Sequence, residues 1–472
     1  MQGVYTVEQV RAAEADLMAR LPQGALMQRA AHALSVHCAG LLTQVYGAHV
    51  ALLIGSGSNG GDALFAGARL ARRGARVSAL LLDPGRAHAD GLVAFDRAGG
   101  RAVDADAALL AGAELVVDGI LGIGGRGGLR GRAAELAEAA AGLPTVAVDI
   151  ASGVDADTGE VSGAAVRADV TVTFGALKAG TAVGAGAERC GELRLVDIGL
   201  DLPAARTRLL EASDVRAVLP SPDASDDKYT RGVVGIAAGS EQYAGAGVLA
   251  TGSAIHGGAG MVRYVGLAPD PVRSRYPEVV VHPDSRPHDV RVQAWVVGPG
   301  LGTDDTAMEL LADVLRADVP VIADADAITL IARTPGLIRG RRAPTVLTPH
   351  DREFVRVAGD IGPDRVAAAR RAAADLGATV LLKGNSTVVA SPDGSAYVNA
   401  TGTPWLATAG SGDVLSGLIG SLLATGLPAP LAAAAGAYVH GVAGQRAATA
   451  GPPSSSDVLS ELRAAIRSIM AG

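Results

Sequence analysis

The chain has few cysteines, few aromatic residues and no excess of basic charge, and each shortage excludes a class of protein. Its 472 residues include two cysteines, Cys38 and Cys190, which are far apart and in no zinc-ligand spacing, so neither a disulfide scaffold nor a structural zinc site is indicated. Aromatic residues make up 3% of the chain and the formal net charge is −7. We expect no nucleic-acid partner, because base-stacking platforms and a basic surface are both missing.

Long apolar runs are missing as well. No stretch of about 18 uninterrupted apolar residues occurs, which is the length that a membrane span needs. Residues 1–21 form an amphipathic helical pattern with charges throughout rather than a secretory leader, so we expect no membrane partner and a location in the cytoplasm. The abundant residues are small and apolar, with 63 glycines and 49% hydrophobic residues. A chain of this length and composition predicts two α/β domains.

Short apolar runs alternate with helical stretches along the chain, which predicts parallel sheets covered by helices on both faces. The stretch PSPDASDDKYTRG after Leu219 is rich in proline, serine and aspartate, as linkers are. We predict domains over residues 1–211 and 227–472, joined by a linker over residues 212–226. The predicted strands are 50–54, 77–82, 115–117, 145–148, 170–174 and 193–196 in the first domain and 232–237, 294–297, 319–323, 345–347 and 379–382 in the second, which ends in three helices from Asp413 onward.

A glycine turn and a lone carboxylate coincide at residues 410–413 of the second domain. Gly410, Ser411 and Gly412 allow the backbone to bend so that several N–H groups point at one spot, and the helix that begins near Asp413 adds the positive end of its dipole. Such a turn binds phosphate, and a carboxylate beside it can accept the proton of a hydroxyl that attacks a phosphoryl group. The pattern indicates phosphoryl transfer to an alcohol. An ordinary turn with an aspartate cap is the alternative interpretation.

Four other loop regions of this domain follow predicted strands. They lie at the carboxyl ends of the strands, where open α/β sheets bind ligands. Lys383 offers a cation and Gly384 a closely approaching backbone to a nucleotide phosphate, and Thr387 can add a hydroxyl. His350 precedes a helix, so a helix cap is its alternative role. The loop regions are residues 238–247, 298–302, 347–353 and 382–387.

These motifs together resemble the ribokinase-like superfamily and, within it, the ADP- or ATP-dependent NAD(P)H-hydrate dehydratases. The resemblance implies a ribokinase-like α/β/α domain in which Asp413 deprotonates the C6 hydroxyl of hydrated NADH or NADPH, the nucleotide phosphorylates that oxygen, and phosphate then leaves. Mg²⁺ is expected with the nucleotide. Asp227 stands where many members have histidine, and we assign it no role. The shared motifs are DKYTRG at 227–232, GS and YAGA within 239–246, GPGLG at 298–302, DADA at 324–327, LTPHDREF at 347–354, LKG at 382–384 and NATGTPWLATAGSGDVLSG at 399–417.

The same resemblance implies which residues form this site. The hydrated substrate is expected to contact Ala246, Gly300, His350 and the catalytic Asp413. The nucleotide, ADP or ATP, is expected to contact a second set of residues in the loop after the strand at 379–382 and in the glycine turn: Lys383, Gly384, Asn385, Ser386, Thr387 and Gly412.

The first domain has a glycine-rich turn between a predicted strand and a helix. Residues 55–62, GSGSNGGD, with Asp83 after the next strand satisfy the G-x-G-x-x-G dinucleotide fingerprint formally, which leaves a nicotinamide-dependent dehydrogenase as an alternative. Asn59, Asp118 and Ser152 lie at three strand ends, and their hard oxygen donors suit an alkali or alkaline-earth cation. Helix capping is the alternative role for these three residues.

This half resembles the NAD(P)H-hydrate epimerase domain, also called the YjeF N-terminal domain. The shared motifs are LMQRA at 26–30, GSGSNGGD at 55–62, DGILGIG at 118–124, VDIASGVDADTG at 148–159 and ADVTVTFGALKAG at 168–180. The resemblance implies a Rossmann-like three-layer α/β/α domain that holds K⁺ through Asn59, Asp118 and Ser152, and in which Asp149 handles the proton at the C6 centre or at its hydroxyl. The implied substrate contacts are Ser58, Asn59, Gly60, Gly61, Asp62, Gly122, Ile123, Gly124, Gly125, Arg126, Gly127, Gly128 and Asp149.

The sequence departs from the epimerase pattern at four positions. Ser58 and Ala63 replace a common asparagine and a common glycine, and Ile123 and Ala151 replace a common threonine and a common proline. The loss of an amide at Ser58 predicts weaker substrate affinity, whereas the three K⁺ donors are intact. Lys178 is expected at the surface, with contact to a substrate phosphate as the alternative.

We therefore predict a bifunctional, homo-oligomeric enzyme that repairs hydrated NADH and NADPH. An epimerase interconverts the R and S forms, and a dehydratase consumes the S form with ADP or ATP. The fusion favours this prediction, because the epimerase makes both isomers available to the dehydratase. Three alternatives stay open: a vitamin or sugar kinase of the ribokinase type with an N-terminal binding module, a nicotinamide dehydrogenase, and a first domain that only binds or assembles.

Overall fold

The computed structural model describes residues 1–283 and 285–471. The chain divides into two compact units: the N-terminal unit is Gly3–Arg206, and the C-terminal unit consists of Met1–Gln2 and the described residues from Thr207 onward. Each unit is built on a sheet that is wholly or largely parallel, which confirms the predicted α/β fold class. None of the described helices is both long enough and apolar enough to cross a membrane.

The N-terminal unit contains nine strands and seven helices in its described residues. The strands are β1 (Gln2–Tyr5), β2 (His49–Ile54), β3 (Arg76–Leu81), β4 (Arg101–Asp104), β5 (Leu115–Gly119), β6 (Thr145–Val148), β7 (Val170–Phe174), β8 (Leu177–Lys178) and β9 (Glu192–Val196). The helices are α1 (Val7–Met18), α2 (Ala25–Leu41), α3 (Ser58–Arg72), α4 (Ala89–Arg97), α5 (Arg132–Ala139), α6 (Ala179–Ala182) and α7 (Gly184–Cys190). Seven strands form a parallel sheet in the order β4-β3-β2-β5-β6-β7-β9, and β1 pairs with β8.

The central strand β2 shows why this sheet is covered on both faces. Leu52 and Ile54 belong to an apolar cluster with residues of α2 and α3, whereas Ala51 and Leu53 belong to a second cluster with Leu136 of α5. Because side chains alternate between the faces of a strand, a strand buried on both faces needs an apolar residue at nearly every position. This requirement explains the continuous apolar run.

The C-terminal unit contains ten strands and ten helices in its described residues. The strands are β10 (Thr207–Leu209), β11 (Val233–Ala237), β12 (Met261–Tyr264), β13 (Val280–Val281), β14 (Ala294–Val297), β15 (Val321–Ala323), β16 (Thr345–Leu347), β17 (Thr379–Leu382), β18 (Thr387–Ala390) and β19 (Ala396–Asn399). The helices are α8 (Ala212–Val218), α9 (Ala244–His256), α10 (Pro269–Arg275), α11 (Asp305–Arg316), α12 (Asp326–Arg333), α13 (Asp351–Ala358), α14 (Arg365–Leu376), α15 (Ser411–Ala424), α16 (Ala429–Ala448) and α17 (Ser455–Ala471).

The strand order in this unit is β13-β12-β11-β14-β15-β16-β17-β18-β19-β10. Pairing is parallel from β13 to β17, antiparallel on both sides of β18, and parallel again between β19 and β10. The three helices predicted after the glycine turn are confirmed as α15, α16 and α17. Residues 414–424 of α15 are all buried, so this helix and the turn before it have a fixed position in the core.

The structure differs from the sequence-based boundaries in several places. The chain passes from the N-terminal to the C-terminal unit between Arg206 and Thr207. Residues 212–218 of the predicted linker form α8, whose Val215 is fully buried. At the N-terminus, strand β1 precedes a helix that begins at Val7, because Thr6 and Gln9 form a capping box there. The strands at 101–104, 261–264, 387–390 and 396–399 were not predicted, since they are short and some carry exposed or polar residues.

Candidate active sites

Asp413 lies in the first turn of α15, where the helix is entered through Gly410 with a φ of 86°. The residue before the helix therefore occupies the left-handed region that favours glycine. Burial, followed by the charge of Asp324, raises the pKa of Asp413 to about 7. A carboxyl group with a pKa in this range can accept a proton efficiently at neutral pH.

A partly buried ion pair faces the mouth of this helix. Lys383 follows β17, and its Nζ lies 2.8 Å from Oδ1 of Asp324 and 3.9 Å from Oε2 of Glu353. Burial opposes a charge on Lys383, but the two carboxylates outweigh it and raise the pKa of this lysine. A Cβ on Gly412 would lie 3.2 Å from the lysine Nζ, so the glycine turn and the ammonium group are neighbours.

Asp324 connects this ion pair to α15. The residue is almost completely buried and follows β15. Its Oδ2 accepts a hydrogen bond of 2.7 Å from Oγ of Ser416 in α15, while its Oδ1 accepts from Lys383. The lysine is therefore held close to the helix mouth by a carboxylate other than Asp413.

His350 is the N-cap of α13. Its Nδ1 accepts hydrogen bonds from the backbone N–H groups of Arg352 and Glu353 at 3.1 and 3.4 Å, and Oε2 of Glu353 accepts from the His350 N–H at 2.9 Å. The capping role considered from sequence is thus present. Because Nδ1 is an acceptor here, a neutral ring carries its proton on Nε2. The side chain is half exposed, and its contact with a substrate stays a prediction.

The two loops predicted to contact the substrate through backbone and small residues meet at Gly300. This glycine has a φ of 59°, and a Cβ on it would lie 2.7 Å from Cβ of Ala246 and 2.8 Å from Cβ of Tyr243. Only glycine fits there. Gly300 and Ala246 are therefore brought together, although they are distant in sequence.

The predicted nucleotide loop, residues 383–387, is partly internal. Gly384 is exposed, whereas Ser386 and Thr387 are buried, and the hydroxyl of Thr387 donates to the carbonyl oxygen of Gly384 at 3.3 Å. The structure thus places this hydroxyl within the loop. Sequence reasoning missed Arg365, which donates to the carbonyl oxygen of Lys383 at 2.8 Å and pairs with an aspartate of α13. No sequence signal indicated this contact.

Sequence reasoning also missed a histidine behind the glycine turn. His440 of α16 is buried, and its Nε2 lies 3.2 Å from Oγ of Ser411. Burial lowers the pKa of His440 to about 4, so the ring is neutral at physiological pH. It fixes the serine of the turn without adding charge.

The N-terminal unit contains a cavity of about 450 Å³ at the carboxyl ends of β2, β5 and β6. Eight of the predicted substrate residues line it: Ser58, Asn59, Asp62, Gly122, Ile123, Gly124, Gly125 and Asp149. The other five predicted residues are not among the residues that line it: Gly60, Gly61, Arg126, Gly127 and Gly128. Gly60 serves the turn instead, because a Cβ there would lie 2.4 Å from the carbonyl oxygen of Gly55.

One wall of the cavity comes from α1, which sequence reasoning had not connected with a site. Arg11, Glu14 and Met18 line the cavity, and their spacing places them on one side of the helix. The amphipathic pattern of residues 1–21 was the available signal. Burial, followed by the charge of Asp149, raises the pKa of Glu14.

Asp149 follows β6 with a φ of 68°, a left-handed conformation that is uncommon for a residue other than glycine. Its Oδ1 accepts hydrogen bonds from Nζ of Lys178, from Oγ1 of Thr173 and from the N–H of Phe174, the last two at 3.2 Å. The expectation that Lys178 is a surface lysine is wrong: its side chain is 1% exposed. Its ammonium group also donates to Thr173 and to the carbonyl oxygen of Phe174, which satisfies a buried charge.

The three predicted cation donors converge on one turn. Asp118 is the fourth residue of β5 and is fully buried; its oxygens accept from the hydroxyl of Ser152 at 2.6 Å and from the N–H of the same serine at 2.8 Å. Both Ser152 and Asn59 contact the carbonyl oxygen of Leu121. Burial raises the pKa of Asp118 to about 6, and Asp118 forms no ion pair within residues 1–283 and 285–471. A buried carboxylate without a positive partner fits a bound cation.

The acidic residue of the dinucleotide fingerprint has a local role. Oδ1 of Asp83 accepts from the N–H of Gly85 at 3.2 Å and caps the short turn that follows β3. This contact favours the turn interpretation over a ribose contact in a dehydrogenase.

Comparisons with known proteins also divide the chain into two parts. The family described as NAD(P)H-hydrate dehydratase matches residues 234–462, and the family described as YjeF-related protein N-terminus matches residues 23–180. Among solved structures, an ADP/ATP-dependent NAD(P)H-hydrate dehydratase from Bacillus subtilis, co-crystallised with ATP and Mg²⁺, is 30% identical with a TM-score of 0.51. The match covers 56% of this chain and 98% of that chain.

Two mycobacterial relatives match over nearly the whole chain. Both are named bifunctional NAD(P)H-hydrate repair enzyme Nnr. The Mycobacterium tuberculosis protein is 52% identical over 441 residues, which are 92% of each chain, and the Mycobacterium leprae protein is 50% identical over 481 residues, which cover 99% of this chain and 100% of that one. The chain therefore belongs to the family of bifunctional NAD(P)H-hydrate repair enzymes.

Proposed function

We propose that this protein repairs hydrated NADH and NADPH. The N-terminal unit interconverts the R and S forms, and the C-terminal unit dehydrates the S form at the expense of ADP or ATP, which releases AMP or ADP and phosphate. The observation that carries the proposal is the position of Asp413, a carboxyl group with a pKa of about 7 at the start of a helix whose glycine turn faces Lys383. The activities for which the mycobacterial relatives and the Bacillus protein are named support it.

In the C-terminal unit, Asp413 takes the proton of the C6 hydroxyl as that oxygen attacks the terminal phosphorus of the nucleotide. Lys383 and the N–H groups of residues 410–412 balance the charge that develops on the phosphoryl oxygens. The C6–O bond then breaks, and phosphate leaves with the oxygen and the electron pair of that bond. Loss of a proton from the adjacent ring carbon restores the double bond. Water thus departs as phosphate, a much better leaving group.

The nucleotide is expected between the glycine turn and the loop of residues 383–387. Arg365 holds this loop through the carbonyl oxygen of Lys383, so the ammonium group and the exposed Gly384 are presented in a fixed position. Gly412 is suited to close approach by a phosphate because it has no side chain. Mg²⁺ would enter with the phosphates, and we assign it no protein ligand.

In the N-terminal unit, the substrate ring is expected in the cavity beside Asp149. K⁺ fits the oxygens of Asn59, Asp118 and Ser152 and would supply the positive charge that the buried Asp118 lacks. Because Asn59 and Ser152 also form hydrogen bonds with Leu121 in the cavity wall, the cation would fix the wall against which the substrate lies.

The proposal is tested with purified protein, a mixture of R and S hydrates, and ADP or ATP in separate reactions. We expect the absorbance of the dihydropyridine ring to recover completely, with one phosphate released for each hydrate consumed and no recovery without nucleotide. Recovery that stops when the S form is exhausted would contradict the epimerase function. A phosphorylated alcohol that accumulates without release of phosphate would identify a small-molecule kinase instead.

The same reactions give the preferences for ADP or ATP and for the NADH or NADPH hydrate. Homo-oligomeric assembly, a cytoplasmic location and the lack of nucleic-acid or membrane partners stay predictions from the sequence.

A further inference from the structure

We propose that the N-terminal unit divides proton transfer between two carboxyl groups of its cavity: Asp149 takes the proton of the C6 hydroxyl, and Asp62 gives a proton to the ring nitrogen bonded to C6. Lys178 acts as a positioning residue that orients the side chain of Asp149. This assignment rests on the epimerase function proposed above. It goes further by giving each of the two carboxyl groups a separate step.

Asp149 is arranged as a fixed carboxylate. All three of its hydrogen bonds end on Oδ1, and no hydrogen bond to Oδ2 is found among the described residues. Its left-handed backbone, with a φ of 68°, sets the direction of the side chain. Lys178 touches this carboxylate directly and is itself 1% exposed, so neither partner of the pair is free to turn away. Oδ2 is left for a substrate hydroxyl.

Asp62 is arranged in the opposite way. It lies in the first turns of α3 and lines the same cavity. Its Oδ1 is buried and has no hydrogen-bond partner among the described residues, and it forms no ion pair there. A buried oxygen without a donor or cation disfavours a carboxylate and favours a protonated carboxyl group.

The charged groups around the cavity strengthen this difference. Burial first, and then the negative charges of Asp149 and Glu14, raise the pKa of Asp62 well above its ordinary value. Arg11 is the cation that α1 presents to the cavity, and it acts on Glu14. His88 lies beside Gly61, where an added Cβ would be 3.0 Å from its ring. Among the residues that the structure describes, Lys178 is the one ammonium group that pairs with a cavity carboxylate, and that carboxylate is Asp149.

The chemistry of the substrate needs one acid and one base. Hydration places a hydroxyl on the carbon that is bonded to the ring nitrogen. When Asp149 takes the hydroxyl proton, the oxygen forms a carbonyl with that carbon, the carbon–nitrogen bond breaks, and its electron pair goes to the nitrogen, which receives a proton from Asp62. Rotation of the open aldehyde and the reverse of these steps close the ring with the opposite configuration. Both protons return to their donors, so nothing is consumed.

The tests are Asp62→Asn, which keeps the shape and removes the acid, and Lys178→Met, which removes the ammonium group. Lys228→Met is the matched control, because lysines occur only at positions 178, 228 and 383 and Lys228 is exposed. Each full-length variant is assayed twice: for R-to-S exchange across a range of pH, and for nucleotide-dependent dehydration of the S form. The dehydration assay shows that the chain has folded, and circular dichroism checks the N-terminal unit.

We expect Asp62→Asn to lower kcat for exchange by about 10² to 10⁴, the range for a positioned general acid, and to remove the fall in rate at high pH that wild type shows when Asp62 ionises. Lys178→Met is expected to lower kcat for exchange and to leave KM for the hydrate unchanged, because Asp149 loses the contact that orients its side chain. Lys228→Met leaves both profiles unchanged. Exchange within about twofold of wild type in Asp62→Asn, or an unaltered high-pH limb, overturns the assignment of the acid. If wild type itself does not exchange the isomers, the proposed epimerase function fails instead.

Discussion

The two carboxyl groups assigned to take a proton from the C6 hydroxyl, Asp149 and Asp413, are held in opposite ways. Asp149 contacts a buried ammonium group and two further donors. Asp413 forms no ion pair within the described residues, since the nearby Lys383 pairs with Asp324, and burial raises the pKa of Asp413 to about 7. Donors on its own unit orient Asp149, whereas burial makes Asp413 a better proton acceptor near neutral pH than an ordinary carboxylate.

The lysines near the two carboxyl groups also differ in what they contact. Arginine supplies nearly all of the 41 basic residues, and lysine occurs three times. Two of the three are held against carboxylates at the two sites. A compact ammonium group with three donors fits a confined space that a planar guanidinium does not, and it can serve either as a fixed partner, as at Lys178, or as a neighbour of a phosphate, as at Lys383.

The largest expected effect comes from Asp413→Asn. We expect kcat for dehydration to fall by about 10² to 10⁴, because the amide cannot accept the hydroxyl proton, while R-to-S exchange stays at the wild-type rate. Asp375→Asn, at an exposed position of α14, is the control. An equal loss of both activities would contradict the separation of the two sites.

Lys383→Met tests whether Lys383, which pairs with Asp324, contributes to nucleotide binding as well as to stability. The variant leaves Asp324 buried and without its ammonium partner, so we expect a loss of stability of about 3 kcal/mol together with a higher KM for ADP or ATP. Thermal unfolding and nucleotide titration measure the two effects. Lys228→Met provides the matched control, and an unchanged nucleotide KM would show that the pair is structural alone.

The rate of dehydration should depend on the protonation state of Asp413. Asp413 must be ionised to accept a proton, so kcat for dehydration of the pure S form should rise with pH up to about 7 and level off above it. Below that value the rate should fall by about tenfold for each pH unit. The pH profile of kcat with saturating nucleotide measures this, and a rate that is flat from pH 5 to 7 would show that Asp413 is not the titrating base.

K⁺ should affect only the N-terminal unit. We expect exchange of the isomers to require K⁺ and Ser152→Ala to raise the K⁺ concentration for half-maximal exchange by about 10- to 100-fold, the range for ligands and their supporting partners. Dehydration of the S form, measured in K⁺ and in choline at equal ionic strength, serves as the control. Exchange that is equally fast in choline would remove K⁺ from the proposed function.

The sequence predicted those parts of the fold and sites that depend on local patterns. Strands such as β2 and β14 are continuous apolar runs because both of their faces are buried, and four consecutive residues, 410–413, predicted the glycine turn before α15. Contacts between distant segments left no such signal. Lys178 was misplaced because a lysine in a two-residue strand gives no indication of the partly buried carboxylate 29 positions earlier in the chain, and Arg365 was missed for the same reason.

The smallest and most local test concerns the turn that supports Asp324. Gly298 and Gly302 both have left-handed backbones, with φ values of 117° and 87°, but a Cβ on Gly298 would lie 2.0 Å from the carbonyl oxygen of Asp324, whereas a Cβ on Gly302 would meet nothing within 4 Å. Gly302→Ala should therefore cost only the left-handed strain, about 1 to 2 kcal/mol. Gly298→Ala should cost about 1 to 3 kcal/mol more and lower kcat for dehydration, because Asp324 must shift and Lys383 with it. Equal thermal midpoints and equal dehydration rates in the two variants would show that the site tolerates displacement of Asp324.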